Sequence, residues 1–180
     1  MRRLMLLRHA KTETDAPSGR DQDRRLDDRG HKDAAVIGGW LARHPPFPDF
    51  VQVSPAVRAK QTWELVREAM KEHAPAPEVE FLPELYGADP AQMLQTIRTA
   101  SVSDPRYLMV VGHNPGMREL ALMLTGGGDK AGRHALSDNL PTSGLAILDF
   151  ATNDWNEVAF RRGKLVQFVS PKLLKQASGG

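Results

Sequence analysis

The chain has 180 residues, 24 Lys and Arg against 22 Asp and Glu, a formal charge of +2 and 41% apolar residues, which suits one ordinary globular domain and excludes a chain that is mainly disordered. A sequence pI near 9.0 comes from scattered basic residues without a long Lys/Arg run, so no nucleic-acid partner is expected. The chain holds no cysteine, which excludes disulfide frameworks, zinc–thiolate sites and cysteine nucleophiles.

Met1-Arg2-Arg3 is followed by only Leu4 to Leu7 before Arg8, too short an apolar run for a signal peptide or a membrane span. A cytoplasmic protein with no membrane partner is expected. Leu4 to Leu7 reads instead as a strand buried on both faces. Thr12 to Arg25 is a polar stretch that reads as a loop flanking a site. Ala34, Ile37, Trp40 and Leu41 keep one face of a helix. Phe50 to Val53, set between Pro45-Pro46-Phe47-Pro48 and Pro55, is a second strand. Ser54 and Pro55 sign a helix start, and Thr62, Leu65, Val66, Ala69 and Met70 carry that helix's apolar stripe.

Pro90 to Ala100 predicts a further helix, and Tyr107 to Val111 a third buried strand. Asn114 and Pro115 sign the next helix, with Met117, Leu120, Ala121 and Leu124 on its inner face. Gly126 to Gly128 stops it, and Gly126 to Lys130 reads as a flexible connector within a second polar stretch, Thr125 to Ser143. It is not a nucleotide loop, since it follows a helix rather than a strand and lacks Lys-Ser or Lys-Thr. Leu145 to Phe150, Glu157 to Phe160 and Lys164 to Val169 read as strands around an Asn153-Asp154 turn. Alternating strands and helices predict an α/β three-layer sandwich, a mostly parallel central sheet flanked by helices. A single domain over 1–176 with a disordered tail over 177–180 completes the reading.

Ligands of open α/β sheets bind beyond the carboxyl ends of the strands. After the first strand stand Arg8 and His9, after the second Ser54-Pro55 and then Arg58, after the third Gly112-His113-Asn114-Pro115. Two histidines and two arginines would therefore meet in one small volume. The planar fork of arginine matches phosphate oxygens, and two forks neutralise a dianion.

Leu6-Leu7-Arg8-His9-Ala10, Ser54-Pro55-Ala56-Val57-Arg58-Ala59-Lys60-Gln61-Thr62 and Val111-Gly112-His113-Asn114-Pro115 resemble the three motifs of the histidine phosphatase superfamily. Within it the chain is most similar to the SixA-type phosphohistidine phosphatases. Arg25-Leu26-Asp27-Asp28-Arg29-Gly30 and Phe81-Leu82-Pro83-Glu84-Leu85 add to the likeness, which runs from Leu4 to about Lys175. Ala10 departs from the glycine that most of the superfamily has there. The resemblance implies a phosphoglycerate mutase-like fold, His9 as nucleophile, Arg8, Arg58 and His113 as phosphate ligands, and Glu84 as proton donor.

The residues themselves make this chemically sensible. A neutral imidazole attacks phosphorus near pH 7 if its free nitrogen is unprotonated and in line with the leaving group. Arg8 and Arg58 should lower the His9 pKa, and a backbone carbonyl on the other ring nitrogen would set its tautomer. His113, facing a dianion, should favour its protonated form and donate to a phosphoryl oxygen. Glu84, stiffened by Pro83, could protonate the leaving group and then activate water.

His31, His44, His73 and His134 follow no buried strand and read as ordinary polar residues, as do Arg29, Arg43 and Arg67 as solvated helix positions. Two histidines and a carboxylate could hold a divalent metal, but two arginines in the same pocket would repel a cation and no chelating His spacing occurs. The expectation is a metal-independent, cofactor-free phosphatase working through phosphohistidine. The SixA-like resemblance, together with intervals from Arg58 to Glu84 and Glu84 to His113 that leave no room for a lid, implies as substrate a phosphohistidine on a partner protein, such as a phosphorelay domain. Phosphatase or mutase action on small phosphoesters, and a module that binds phosphoryl groups without turnover, are the rival readings.

Overall fold

The computed structural model describes residues 1–179. Leu4, Met5, Leu6 and Leu7 are each at most 1% exposed, because this first strand, β1 (Arg2–Arg8), runs through the middle of the sheet with helices on both sides. The other strands are β2 (Phe50–Val53), β3 (Glu78–Phe81), β4 (Tyr107–Gly112), β5 (Thr125–Gly128), β6 (Leu145–Phe150) and β7 (Gly163–Val169). They form one sheet in the order β3-β2-β4-β1-β6-β7-β5. β1 pairs with β4 in parallel, Leu7 beside Val111 and Arg8 beside Gly112. On its other side β1 pairs antiparallel with β6, and β6 does so with β7.

Alternation along the strands splits the core into two halves. Leu4, Leu6, Leu108 and Val110 face α3 (Pro90–Arg98), α4 (Gly116–Leu124) and α5 (Lys130–Asp138), through Met93, Ile97, Met117, Leu120 and Leu136. Met5, Leu7, Val51, Val53, Met109 and Val111 face α1 (Asp28–Ala42) and α2 (Val57–Met70), through Ile37, Trp40, Trp63 and Val66, with Leu174 of α6 (Pro171–Gly179) at the margin. The result is the expected α/β three-layer sandwich.

Helix boundaries follow local chemistry. Asp27 caps α1, its side chain accepting from the Gly30 amide at 2.7 Å. Asp89 and Gln92 make a reciprocal capping box at the start of α3, with proline in its first turn. The starts read at Ser54 and Asn114 lie later in the structure. α2 begins at Val57 with no side-chain cap, and α4 begins at Gly116, where Asn114 Oδ1 accepts from the Arg118 amide at 3.1 Å. The Ser54 hydroxyl accepts from the Ala56 amide at 3.3 Å, ahead of the helix.

Four other readings are corrected. Gly126 to Gly128 is the edge strand β5, parallel to β7. Gly126 and Gly128 reflect close approach, since a Cβ would stand 1.9 Å from the Arg161 carbonyl oxygen at the first and 2.3 Å from that of Leu165 at the second. The polar stretch after it holds α5 as well as loop. Glu157 to Phe160 joins no strand: Trp155 is fully buried with its indole N–H donating to the Pro105 carbonyl at 2.6 Å, and the Val158 carbonyl accepts from Arg98. Those contacts hold this segment against the end of α3 instead of the sheet. β3 escaped notice because its residues are largely exposed at the sheet edge and carry no buried run. The expected tail over 177–180 is helical through Gly179, continuing α6 with no proline to break it; Gly180 lies outside the described residues. No helix among the described residues is long and apolar enough to cross a membrane.

Candidate active site

β2, β4 and β1 are consecutive in the sheet, so Ser54, Gly112-His113 and Arg8-His9 leave it side by side at the carboxyl ends of parallel strands. The His9 amide donates to the Gly112 carbonyl at 3.1 Å, and the Arg8 amide to the Gly144 carbonyl at 3.0 Å. Both backbone positions are therefore anchored in the ladder. Arg58 enters from the first turn of α2, and Thr62 ties that turn to the strand: its hydroxyl donates to the Arg58 carbonyl at 2.7 Å and accepts from the Ala10 amide at 2.9 Å.

The two histidine rings lie 5.2 Å apart between centroids. His9 is buried, and its Nδ1 lies 2.8 Å from the Ala10 carbonyl oxygen. A carbonyl can only accept, so Nδ1 carries the proton and Nε2 keeps its lone pair. Burial, seconded by the neighbouring His113 ring and the charges of Arg58 and Arg8, depresses the His9 pKa from 6.5 to about 3, against a smaller opposing effect of the Ala10 carbonyl. Near neutral pH His9 is an uncharged base.

His113 Nε2 lies 2.6 Å from Ser54 Oγ, while its Nδ1 is buried without a partner. Burial and then Arg58 depress its pKa from 6.5 to about 4. Burial thus holds His113 neutral near neutral pH; the charged form is expected only with a dianion opposite it. A hydroxyl hydrogen given by Ser54 to Nε2 would put the ring proton on Nδ1, pointing a donor at the site even in the neutral form.

Both arginines are held by their outer ends. Arg8 Nη1 donates to the Leu140 carbonyl at 3.1 Å. Arg58 Nη1 and Nη2 donate to the main-chain and carboxylate oxygens of Asp21 at 2.8 and 2.9 Å. Each leaves its Nε buried and unpartnered. Ser143 Oγ is a further buried, unpartnered polar atom, and the Ser143 amide donates to the Arg8 and His9 carbonyls. Four orphaned polar atoms (Arg8 Nε, Arg58 Nε, His113 Nδ1 and Ser143 Oγ) thus belong to residues that meet at one end of the sheet. Buried polar groups normally find partners; this cluster is suited to an oxyanion.

The structure brings together Arg8, His9, Arg58 and His113. Glu84 is exposed, in a 3₁₀ turn over Pro83–Leu85, and forms no hydrogen bond or ion pair with any of them. From the same connection it is Tyr86 that reaches the cluster, its ring edge-on to His113 at 5.6 Å between centroids and its hydroxyl 2.6 Å from Asp21 Oδ2. Asp21, Tyr86, Ser54 and Ser143 were not assigned site roles from sequence. Ser54 was signalled by its place at the end of β2; Asp21 and Ser143 lie in polar stretches without periodicity. The segment over residues 9–27, outside the intervals between Arg58 and His113, reaches both Arg58 and Tyr86 through Asp21. Among the described residues no group of three or more His, Asp or Glu side chains is placed to hold a metal ion.

A sequence model of the histidine phosphatase superfamily (branch 1) matches residues 4–90. An uncharacterised protein of Mycobacterium tuberculosis is 37% identical over 169 residues, spanning 92% of this chain and 100% of that one. Among solved structures, an Agrobacterium tumefaciens protein provisionally named phosphohistidine phosphatase SixA is 33% identical with a TM-score of 0.76, over 94% of this chain and 98% of its own. A Nakamurella multipartitia protein with the same provisional name is 25% identical with a TM-score of 0.80, over 94% and 96% of the two chains.

Proposed function

Because the chain belongs to the histidine phosphatase superfamily and is a phosphatase, we propose that it hydrolyses a phosphoryl group in two steps through a covalent phosphohistidine on His9. The observation that carries this reading is the buried, neutral His9, its Nδ1 proton committed to the Ala10 carbonyl, beside four unpartnered polar atoms. In the first step Nε2 of His9 forms a bond to phosphorus while the bond from phosphorus to the leaving group breaks, and the leaving group takes up a proton. In the second, water attacks phosphorus, the bond to Nε2 breaks, and orthophosphate leaves as the water's proton is released.

Arg8 Nε, Arg58 Nε, His113 Nδ1 and Ser143 Oγ would donate to the equatorial oxygens, where charge spreads in the transition state. An arriving dianion would raise the His113 pKa from its depressed value, so the charged form develops with the ligand. Glu84 is the candidate proton donor for the leaving group and, as carboxylate, the candidate base for water. A phosphoryl group on imidazole leaves more readily than one on an alkoxide, which relaxes the demand on an exposed carboxylate.

The proposed substrate is phosphohistidine on a partner protein such as a phosphorelay domain. Its support is the likeness to two proteins provisionally named phosphohistidine phosphatase and the shortness of the chain between Arg58 and His113, spent on α2, β3, α3 and β4. Quenched turnover should leave acid-labile, base-stable phosphate on His9; a label on serine, or full activity in His9→Ala, overturns the mechanism. Turnover of a phosphohistidine protein should exceed that of metabolite phosphates, and a preference of several orders of magnitude for a free sugar or nucleotide phosphate overturns the substrate.

A further inference from the structure

We propose that Asp21 is a positioning residue for phosphoryl transfer: it grips Arg58 at both outer nitrogens, so that the Nε–H edge stays turned to the oxyanion. The proposal rests on the phosphatase reading above and adds to it a residue from the connection between β1 and α1.

The grip is made by one residue acting twice. Nη1 donates to the main-chain oxygen of Asp21 at 2.8 Å and Nη2 to its carboxylate at 2.9 Å. A guanidinium is planar and rigid, so two bonds at its far end fix the plane and leave the Nε edge as the remaining donor face. That nitrogen is buried and without a partner, in a side chain only 6% exposed.

Asp21 is itself held. Its carboxylate accepts from the Tyr86 hydroxyl at 2.6 Å and from Arg24 Nε at 3.0 Å, and its backbone lies in a 3₁₀ turn over Asp21–Asp23. The Tyr86 ring packs edge-on to His113, with the Arg58 guanidinium carbon 5.9 Å from its centroid. One carboxylate therefore links Arg58 with the aromatic wall behind His113. Donation from Tyr86, then the charge and bonds of Arg58, keep Asp21 ionised, its pKa depressed from 3.8 to about 2. Arg8 is arranged in a similar way, but a neutral carbonyl, that of Leu140, holds its outer end.

A carboxylate beside an oxyanion site acts in two opposed ways: it orients the arginine, and it repels the incoming dianion. If orientation dominates, losing the carboxylate half of the grip, with the main-chain bond to Nη1 kept, frees the guanidinium to swing about that bond and loosens a transition-state donor while ground-state binding changes little. Asp21→Ala should then lower kcat about 10-fold to 100-fold with KM changed by less than about 3-fold. Asp21→Asn keeps an oxygen for Nη2 without the charge, and should restore kcat to within about 3-fold of the parent.

The assay is turnover of an artificial aryl phosphate together with calorimetric titration of vanadate, a five-coordinate mimic, and of inorganic phosphate. In Asp21→Ala, vanadate affinity should fall in step with kcat while phosphate affinity holds. Unchanged or increased kcat and vanadate affinity in Asp21→Ala would mark a contact that competes with the ligand, and overturns positioning. So would equal losses in both variants accompanied by a lower unfolding temperature. If the parent protein formed no phosphohistidine, the reaction proposed above would fail by itself; vanadate titration of the same variants would still decide whether Asp21 orients Arg58.

Discussion

Lowering the pH from 7.5 to 5.0 should cost the folded protein about 4 kcal/mol, and two site histidines should account for it. His9 and His113 ordinarily titrate near 6.5 but are depressed by burial to about 3 and about 4 in the fold. Below pH 6.5 the unfolded chain takes up a proton at each while the folded chain refuses it. Stability is therefore fully present above 6.5 and drains away as pH falls toward the folded values. Each site contributes about 1.4 kcal/mol per pH unit over this window, hence about 2 kcal/mol by pH 5. Asp21, depressed to about 2 by the Tyr86 hydroxyl and Arg58, acts in the same direction but only below about pH 4, outside this window. Against a typical domain stability of about 5 to 15 kcal/mol the expected loss is large. Urea unfolding followed by tryptophan fluorescence at pH 7.5, 6.5, 5.5 and 5.0 measures it. His9→Gln and His113→Gln should each remove about half of the slope, and the double variant nearly all of it. A stability flat to within about 1 kcal/mol over the range, or a slope that survives in the double variant, refutes the reasoning.

Arg58→Ala should lower turnover by about 100-fold to 1000-fold, as loss of a fixed oxyanion donor does, and a change of less than a few-fold in kcat would show that α2 does not serve the site. Ser143 sits at φ 60° with a buried, unpartnered hydroxyl, so Ser143→Gly should unfold at the same or a higher urea concentration while turning over about 10-fold more slowly; full activity would remove Ser143 from the phosphoryl pocket. Gly126→Ala should destabilise by about 2 kcal/mol or more, because its Cβ would stand 1.9 Å from the Arg161 carbonyl oxygen. Unchanged thermal unfolding of that variant would contradict the close approach of the Arg161 backbone to β5.

The sequence determined the layers and the ends of the central strands. Leu4 to Leu7 and Tyr107 to Val111 are apolar on both faces because helices cover both, and the stripes of Ile37, Val66 and Leu120 repeat at the helical period. Those signals are local, carried by neighbours along the chain. Arg8, His9, Arg58 and His113 were legible for the same reason: each follows a strand that could be recognised, and adjacency of the strand ends did the rest. Burial of His9 and its bond to the next carbonyl were within reach of the same logic.

Only the tertiary structure decided what stands between those residues. Strand β3 and strand β5 lie at the two sheet edges, where exposure and glycine erase the alternating pattern, so pairing alone makes them strands. Glu84 reads as the proton donor by its chemistry, yet the turn over Pro83–Leu85 leaves its carboxylate exposed and delivers the Tyr86 phenol to Asp21 and the Tyr86 ring to His113. Asp21 pairs with Arg58 across 37 positions of sequence, from a loop with no periodicity to announce it. Periodicity reports which side of an element meets the core, whereas a partner across a loop is chosen by how closely two backbones approach, and that distance exists only once the sheet has formed.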